Sequence, residues 1–367
     1  MFKEHTMTRR LIAGTTLALI AGVAAQAQDG PINITTYGGA FGAAVNEAFV
    51  KPFTAETGIQ ATMVDNDNPP ATLKAQVEAG NITSDVFDVE QSDVIRLCDE
   101  GLIEPIDPAM LPAAADGTPA TDDYLPQALH ECATAIMVWS TVIAYNTEAF
   151  PDGAPATVAD FFDTGKFPGK RGIIKRPKYA LEFALLGDGV APDQVYEVLS
   201  TPEGVDRAFA KLDSIKDEVI WWEAGAQAPQ LLADKEVSMT LAYNGRIFDA
   251  IVDEGKPFAF IWDGVNLDMD YWVVPMDAPN KDAAMQFIAF ASDPARQADL
   301  SKYIAYGPPR ESASASVGTY KDGTTQMAPY LPTTPENAER ALVNDAAFWA
   351  DHDAELTERF NSWLAGS

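Results

Sequence analysis

Short apolar runs and helix-spaced ones alternate through the first third of the chain. Residues 32–37 form a β-type run closed by Gly38-Gly39, and over 43–57 Val45, Ala48, Phe49 and Phe53 recur at helical spacing before Gly58. Residues 59–64 predict the next strand, 73–79 a helix stopped by Gly80, and 85–89 a third strand. The helix after it carries Val94, Ile95 and Leu97 and stops at Gly101. Strands alternating with single helices predict parallel α/β layering. An Ala/Pro/Asp-rich surface loop at 111–123 precedes 133–145, a β-rich run too long for one ordinary strand. That run is a candidate crossing between two lobes.

A second α/β set follows. Strand-like runs at 172–175, 219–222 and 237–243 stand among helical patterns at 181–186, 195–199, 205–212 and 230–233. Residues 271–274 predict another strand, ended by Pro275. Residues 283–291 and 294–303 predict a helix pair, with Pro294 in a first helical turn. The tail, 351–364, sets Leu356, Phe360 and Leu364 on one face of an amphipathic helix.

At 367 residues, 47% hydrophobic and 22% charged, the chain is long enough for two lobes and can bury a full core. Its 54 acidic residues against 25 basic give a formal charge of −29, the wrong sign for displacing counterions from nucleic-acid phosphates. Lys3, Arg9 and Arg10, an apolar run at 11–25 and the small-x-small Ala25-Gln26-Ala27 predict a secretory signal over 1–27, cleaved near Gln28. Removing those three bases and Glu4 leaves 22 basic and 53 acidic residues, so the exported chain carries −31 and works outside the cytoplasm. Cys98 and Cys132 are the only thiols and meet an oxidising compartment there, which predicts a disulfide; two buried free thiols are the alternative. With three histidines and two cysteines, no metal site is expected.

Several short segments stand in order along the chain. They are the 32–37 strand, Glu56-Thr57-Gly58-Ile59, Asp85-Val86-Phe87-Asp88-Val89, Glu100-Gly101-Leu102-Ile103 and Tyr243-Asn244-Gly245. Met269-Asp270, Val274-Pro275, Asn280-Lys281, Phe290, Asp293-Pro294 and Tyr306-Gly307-Pro308 follow. Through them the sequence resembles the periplasmic spermidine/putrescine-binding proteins, the solute receptors of ABC importers. The resemblance implies an α/β fold, a two-lobed periplasmic-binding-protein clamp of type II. Its parallel or mixed sheets are flanked by helices, and its hinge is crossed more than once. On that pattern lobe one takes 28–146 plus 271–316, and lobe two takes 147–270 plus 317–367. The resemblance also implies a periplasmic monomer without cofactor or nucleic-acid partner. It would hold a small molecule between its lobes and pass it to a permease and ATPase at the inner membrane.

In that family aromatic rings hold the ligand's methylene chain and carboxylates hold its amines. Tyr37, Tyr243 and Tyr306 fall at aromatic positions, and Asp270 falls at the amine-binding aspartate. Core packing is the alternative for each tyrosine, and a surface strand end for Asp270. Trp221-Trp222 adds two rings on opposite faces of one strand, so only one lines a given pocket; Trp222 is favoured. Glu90 stands at a family pocket position, either as a further contact to the cation or as an acid at a helix N-terminus.

Two departures from the family bear on the ligand. Asp268 stands where polyamine receptors carry another aromatic, two residues from Asp270 and able to share its strand face. Lys175-Arg176-Pro177-Lys178-Tyr179 stands where they keep carboxylates for the far amine. Six bases (Lys166, Lys170, Arg171, Lys175, Arg176 and Lys178) fall within 13 positions. Either this is a solvated loop that docks on the permease, or Arg176 grips a carboxylate with a two-pronged contact. Arg246 is a second candidate for that role, and Trp221 and Asn244 complete the set of site residues.

The basic segment favours a zwitterion, with a cationic head in the Tyr/Trp/Asp box and an anionic tail on arginine. Compounds of the γ-aminobutyrate (GABA), betaine or dimethylsulfoniopropionate kind fit that description. The alternative is a polyamine, putrescine or spermidine. A remote third reading is an exported hydrolase built on Asp268 and Asp270. The chain has no Gly-x-Ser-x-Gly elbow, His-Glu-x-x-His pair or P-loop, so an enzyme is not expected.

Overall fold

The computed structural model describes residue 1 and residues 30–366; the expected signal and its cleavage site, Met1 apart, lie outside the described residues. The strands are β1 (Ile32–Thr36), β2 (Ala61–Asp65), β3 (Val86–Glu90), β4 (Leu129–His130) and β5 (Ala133–Asn146). They continue as β6 (Arg171–Ile174), β7 (Val219–Trp222), β8 (Met239–Tyr243), β9 (Phe258–Val273) and β10 (Leu342–Val343). All join one mixed sheet in the order β2-β1-β3-β9-β5-β8-β6-β7, with β4 on β5 and β10 on β9. β1 runs parallel to β2 and β3, and β6 runs parallel to β7 and β8. The two long strands β5 and β9 join these sets with antiparallel pairing.

The long apolar run expected to cross between lobes is β5, with all 14 residues buried. Residues 134–141 of β5 pair with 266–272 of β9, and 143–146 pair with 258–261. Between those stretches β9 places 262–265 against Val142 alone, and Gly264 turns through φ +68. The β1–β3 and β6–β8 sets lie on either side of the paired strands β5 and β9. The sequence pattern finds only the end of β9. Asp263, Asn266, Asp268 and Asp270 break its apolar run, so a continuous apolar stretch survives only at 271–273, where the strand is buried on both faces.

The helix expected over 43–57 is three pieces: Gly39–Val45, a π-turn at Asn46–Val50, and Lys51–Thr57. Pro52 has no N–H and its ring obstructs the regular ladder, and the widened turn absorbs it. Gly58 closes the last piece at φ +80, the left-handed cap that glycine adopts without a Cβ penalty. The tail helix, Ala346–Ala365, begins earlier than its apolar stripe suggests, capped by the Asp345 carboxylate on the Phe348 N–H at 3.0 Å. Cys98 and Cys132 are bonded, tying the helix Gln91–Asp99 to the turn before β5, as expected. Among the described residues no helix is long and apolar enough to cross a membrane.

Candidate functional site

A cavity of about 730 Å³ opens between the halves. It collects Tyr37 just beyond β1, Glu90 at the end of β3, Arg176 just beyond β6, and Tyr243 at the end of β8. These are the carboxyl ends of the parallel strands, where open α/β sheets bind ligands because the loops there are free to diverge.

One wall belongs to β9 and β5. A register shift after Ala135 sets Met137 opposite Asp270. The Trp139 indole N–H donates to Asp270 Oδ1 at 2.9 Å, and its ring meets Tyr243 edge-on at 4.9 Å. Tyr37, Phe41 and Tyr306 complete an aromatic box, the last two 5.7 Å apart. Burial, then the neighbouring carboxylates Asp88, Glu90 and Asp268, push the Asp270 carboxyl well above its usual range. Burial, then Glu90 and Asp270, push the Tyr37 phenol up, so that ring stays neutral.

The opposite wall is cationic. Arg176 donates to Glu90 Oε1 at 2.9 Å and to the Tyr243 hydroxyl at 3.3 Å, and its guanidinium lies 4.7 Å over the Tyr179 ring. The basic segment after β6 therefore enters the cleft at Arg176. Arg246 lies against the two loops at Gly39 and Gly225. A Cβ at Gly39 would come within 2.6 Å of its Nη1, and one at Gly225 within 2.8 Å of its Nε. Gly39 is also at φ +72, the left-handed region that favours glycine. The Nε atoms of Arg176 and Arg246 are both buried without a partner, two donors awaiting an acceptor.

Seven of the expected residues thus line one cavity: Tyr37, Glu90, Arg176, Tyr243, Arg246, Asp270 and Tyr306. Glu90, however, is held by cations of the protein. Lys178 Nζ lies 2.8 Å from its Oε2, and although burial raises the carboxyl, Arg176 and Lys178 outweigh this and hold it down to about 2. Asp268 shares the Asp270 face, as expected, but lies behind the cavity, bonded to Lys178 Nζ and the Tyr179 hydroxyl at 2.8 Å each. Trp222 is buried behind Tyr243, ring to ring at 5.7 Å, and Trp221 packs on Phe360 and Trp363 of the tail helix. The two rings do point to opposite faces, and neither borders the cavity. Asn244 is structural: its side-chain oxygen accepts from the Ser140 N–H at 3.0 Å and its amide donates to the Ala305 carbonyl.

Trp139 and Asp88 join the site without having been singled out from the sequence, and Lys178 and Tyr179 enter it from the basic segment after β6. A carboxylate in the middle of Val-Phe-Asp-Val was a signal for Asp88. Tyr179 had none, since its place depends on a left-handed φ of +72 inside a nominal helix start.

A family model described as bacterial extracellular solute-binding protein matches residues 48–333. The chain is 44% identical over 370 residues to the gamma-aminobutyric acid-binding protein of Pseudomonas aeruginosa, covering all of both chains. It is 24% identical over 350 residues to the spermidine/putrescine-binding periplasmic protein of Salmonella typhimurium, covering 93% of this chain and 95% of that one. The solved structure of the Atu4243 GABA receptor matches with a TM-score of 0.78 at 33% identity, over 92% of this chain and 98% of that one. The resemblance to the polyamine receptors therefore holds at the level of family and fold. The chain belongs to the bacterial extracellular solute-binding proteins, two-lobed α/β clamps of the type II class that hold a small molecule and work with ABC permease and ATPase subunits.

Proposed function

We propose that this protein is the periplasmic receptor that delivers GABA, or a close ω-amino acid, to an ABC importer. The observation that carries the reading is the polarity of the cavity: a cation-seeking acid in an aromatic box on one wall, and two arginines with unpartnered Nε atoms on the other. Asp270 and Glu90 are direct cross-strand partners, with Cβ atoms about 5 Å apart, and Arg176 bonds to Glu90. Acid and arginine are therefore separated by little more than one side chain, a span suited to a short zwitterion. The 44% identity to a GABA-binding protein over the whole chain supports the same ligand.

A polyamine is the weaker reading, because its second ammonium would meet Arg176 and Arg246. The lobes are proposed to divide as 28–146 plus 271–316 and 147–270 plus 317–367, with the chain crossing along β5 and β9. Export through the N-terminal signal, action as a monomer and the absence of catalysis belong to the same proposal. Calorimetric titration with GABA, glycine betaine, dimethylsulfoniopropionate, putrescine and spermidine tests it. GABA is expected to bind most tightly, and Arg176→Ala to weaken it by at least about tenfold, the loss of one charge-assisted contact. Tight putrescine or spermidine binding that survives Arg176→Ala would overturn the reading.

A further inference from the structure

Strands β3 and β9 set four acids on one face. Glu90 lies opposite Asp270, Asp88 lies opposite Trp272, and Asp268 is two residues before Asp270. The cations nearby are already engaged. Lys178 spans Glu90 and Asp268, Arg176 takes Glu90, and Arg96 takes Asp93 on the following helix. Asp88 and Asp270 are left with neutral donors. The Thr36 hydroxyl donates to Asp88 Oδ2 at 2.6 Å, and the Trp139 indole donates to Asp270 Oδ1. Asp88 is fully buried, and its Oδ1 finds no N–H or O–H donor. The Tyr37 backbone N–H also reaches the Asp88 carboxyl, and the Asp270 carboxyl is within hydrogen-bonding reach of it. Two ionised carboxylates in contact and out of water repel strongly, and a single shared proton turns that repulsion into a hydrogen bond.

We propose that Asp88 and Asp270 share one proton in the empty site, and that the ligand's ammonium displaces it to bulk water, so that Asp88 makes binding proton-linked. This inference rests on the reading of the ligand as an amine-bearing zwitterion. Only O–H bonds break and form: the proton leaves the acid pair, and the incoming N–H groups take its place on Asp270.

The surroundings agree with that exchange. Burial pushes the Asp88 carboxyl up to about 7, with the Thr36 hydroxyl pulling the other way and Glu90 adding to the rise. From β1 the neutral Tyr37 phenol faces the pair, and from the helix Asn244–Val252 Arg246 faces Tyr306 on the far side. None of these supplies a cation to Asp88. Asp88 is thus a positioning residue. It touches Asp270 rather than the cavity, and it sets the charge that the cationic head meets.

Two measurements decide the matter. Titration of GABA near pH 6.5 in buffers of different ionisation enthalpy should show release of up to about one proton per ligand, with affinity rising by up to tenfold per pH unit. In Asp88→Asn the release should vanish while GABA still binds. GABA binding without any proton release in the unmodified protein would overturn the inference. In the ligand-free protein, carboxyl carbon NMR of 13C-labelled aspartate should find a buried carboxyl titrating near neutral pH that is lost in Asp88→Asn. If every aspartate titrates below pH 5, the shared proton is ruled out. Failure of GABA to bind would defeat the proposed function alone, since the NMR titration needs no ligand.

Discussion

Glu90 and Asp270 face each other across β3 and β9, and their surroundings send their protons in opposite directions. Both are buried, but two cations outweigh burial at Glu90, while Asp270 has the neutral Trp139 indole and otherwise further acids. The same contrast recurs in the core of the other half. Glu182 is fully buried in the helix Pro177–Gly187, and its Oε1 accepts from the Trp349 indole at 2.7 Å and the Tyr196 hydroxyl at 3.2 Å. Its Oε2 has no partner, and burial raises the carboxyl to about 7. An unfolded glutamate titrates near 4.3. Between that pH and 7 the folded chain holds the extra proton, so this group's contribution to stability falls as pH rises through the window. Glu182→Gln keeps the accepting oxygen and removes the charge. It should raise the melting temperature at pH 7.5, by the equivalent of about 2–3 kcal/mol, and leave it unchanged or lower at pH 4.5. Equal shifts at both pH values would mean that Glu182 is ionised in the folded protein. Single residues of this kind were legible in the sequence as types but not as states. Asp270 and Arg176 could be singled out, but their protonation and pairing depend on neighbours dozens of positions away.

At the scale of elements, the segments that the apolar pattern specified well are those with one clear period. β1, β3, β5, β6 and β7 fall where expected, because their burial leaves little choice of register. The losses come where function interrupts the pattern: the acids of β9, Pro52 within the first helix, and the Lys178-Tyr179 turn that delays the start of the helix Pro177–Gly187. The disulfide is an element-scale constraint that the sequence announced through its only two cysteines. It closes a loop of 34 residues, which the chain-entropy model values at about 3–4 kcal/mol through the unfolded state. Replacing both cysteines with serine should lower unfolding free energy by about that amount. A reductant should lower the parent protein's stability to a similar level and leave the variant unmoved. Equal denaturation midpoints for oxidised and reduced parent protein would show that the bridge adds no stability.

At the scale of the whole molecule, one contact between halves lies where the turn after β6 reaches over β3 and β9. Lys178 is almost fully buried, 3% exposed, with Glu90, Asp268 and Ser92 around its ammonium. Its chain segment and Asp268 fall in the proposed second lobe, and Glu90 falls in the first. Hinge opening must break the Lys178–Glu90 bond and rehydrate its two charges, whereas closure re-forms it out of water. The bridge, whose lysine and glutamate both line the cavity, therefore biases the clamp toward closure. Lys178→Met preserves length and packing but leaves two buried carboxylates without their shared cation, a loss of about 3–5 kcal/mol of which the Glu90 share falls on the closed form alone. The variant should fold, with circular dichroism like the parent's, and small-angle scattering should find it expanded without ligand. At GABA concentrations that contract the parent it should remain expanded, and its affinity should fall by at least about tenfold, because ligand binding must then drive closure unaided. If Lys178→Met contracts and binds as the parent does, closure is driven from the cavity itself and the bridge only fills space.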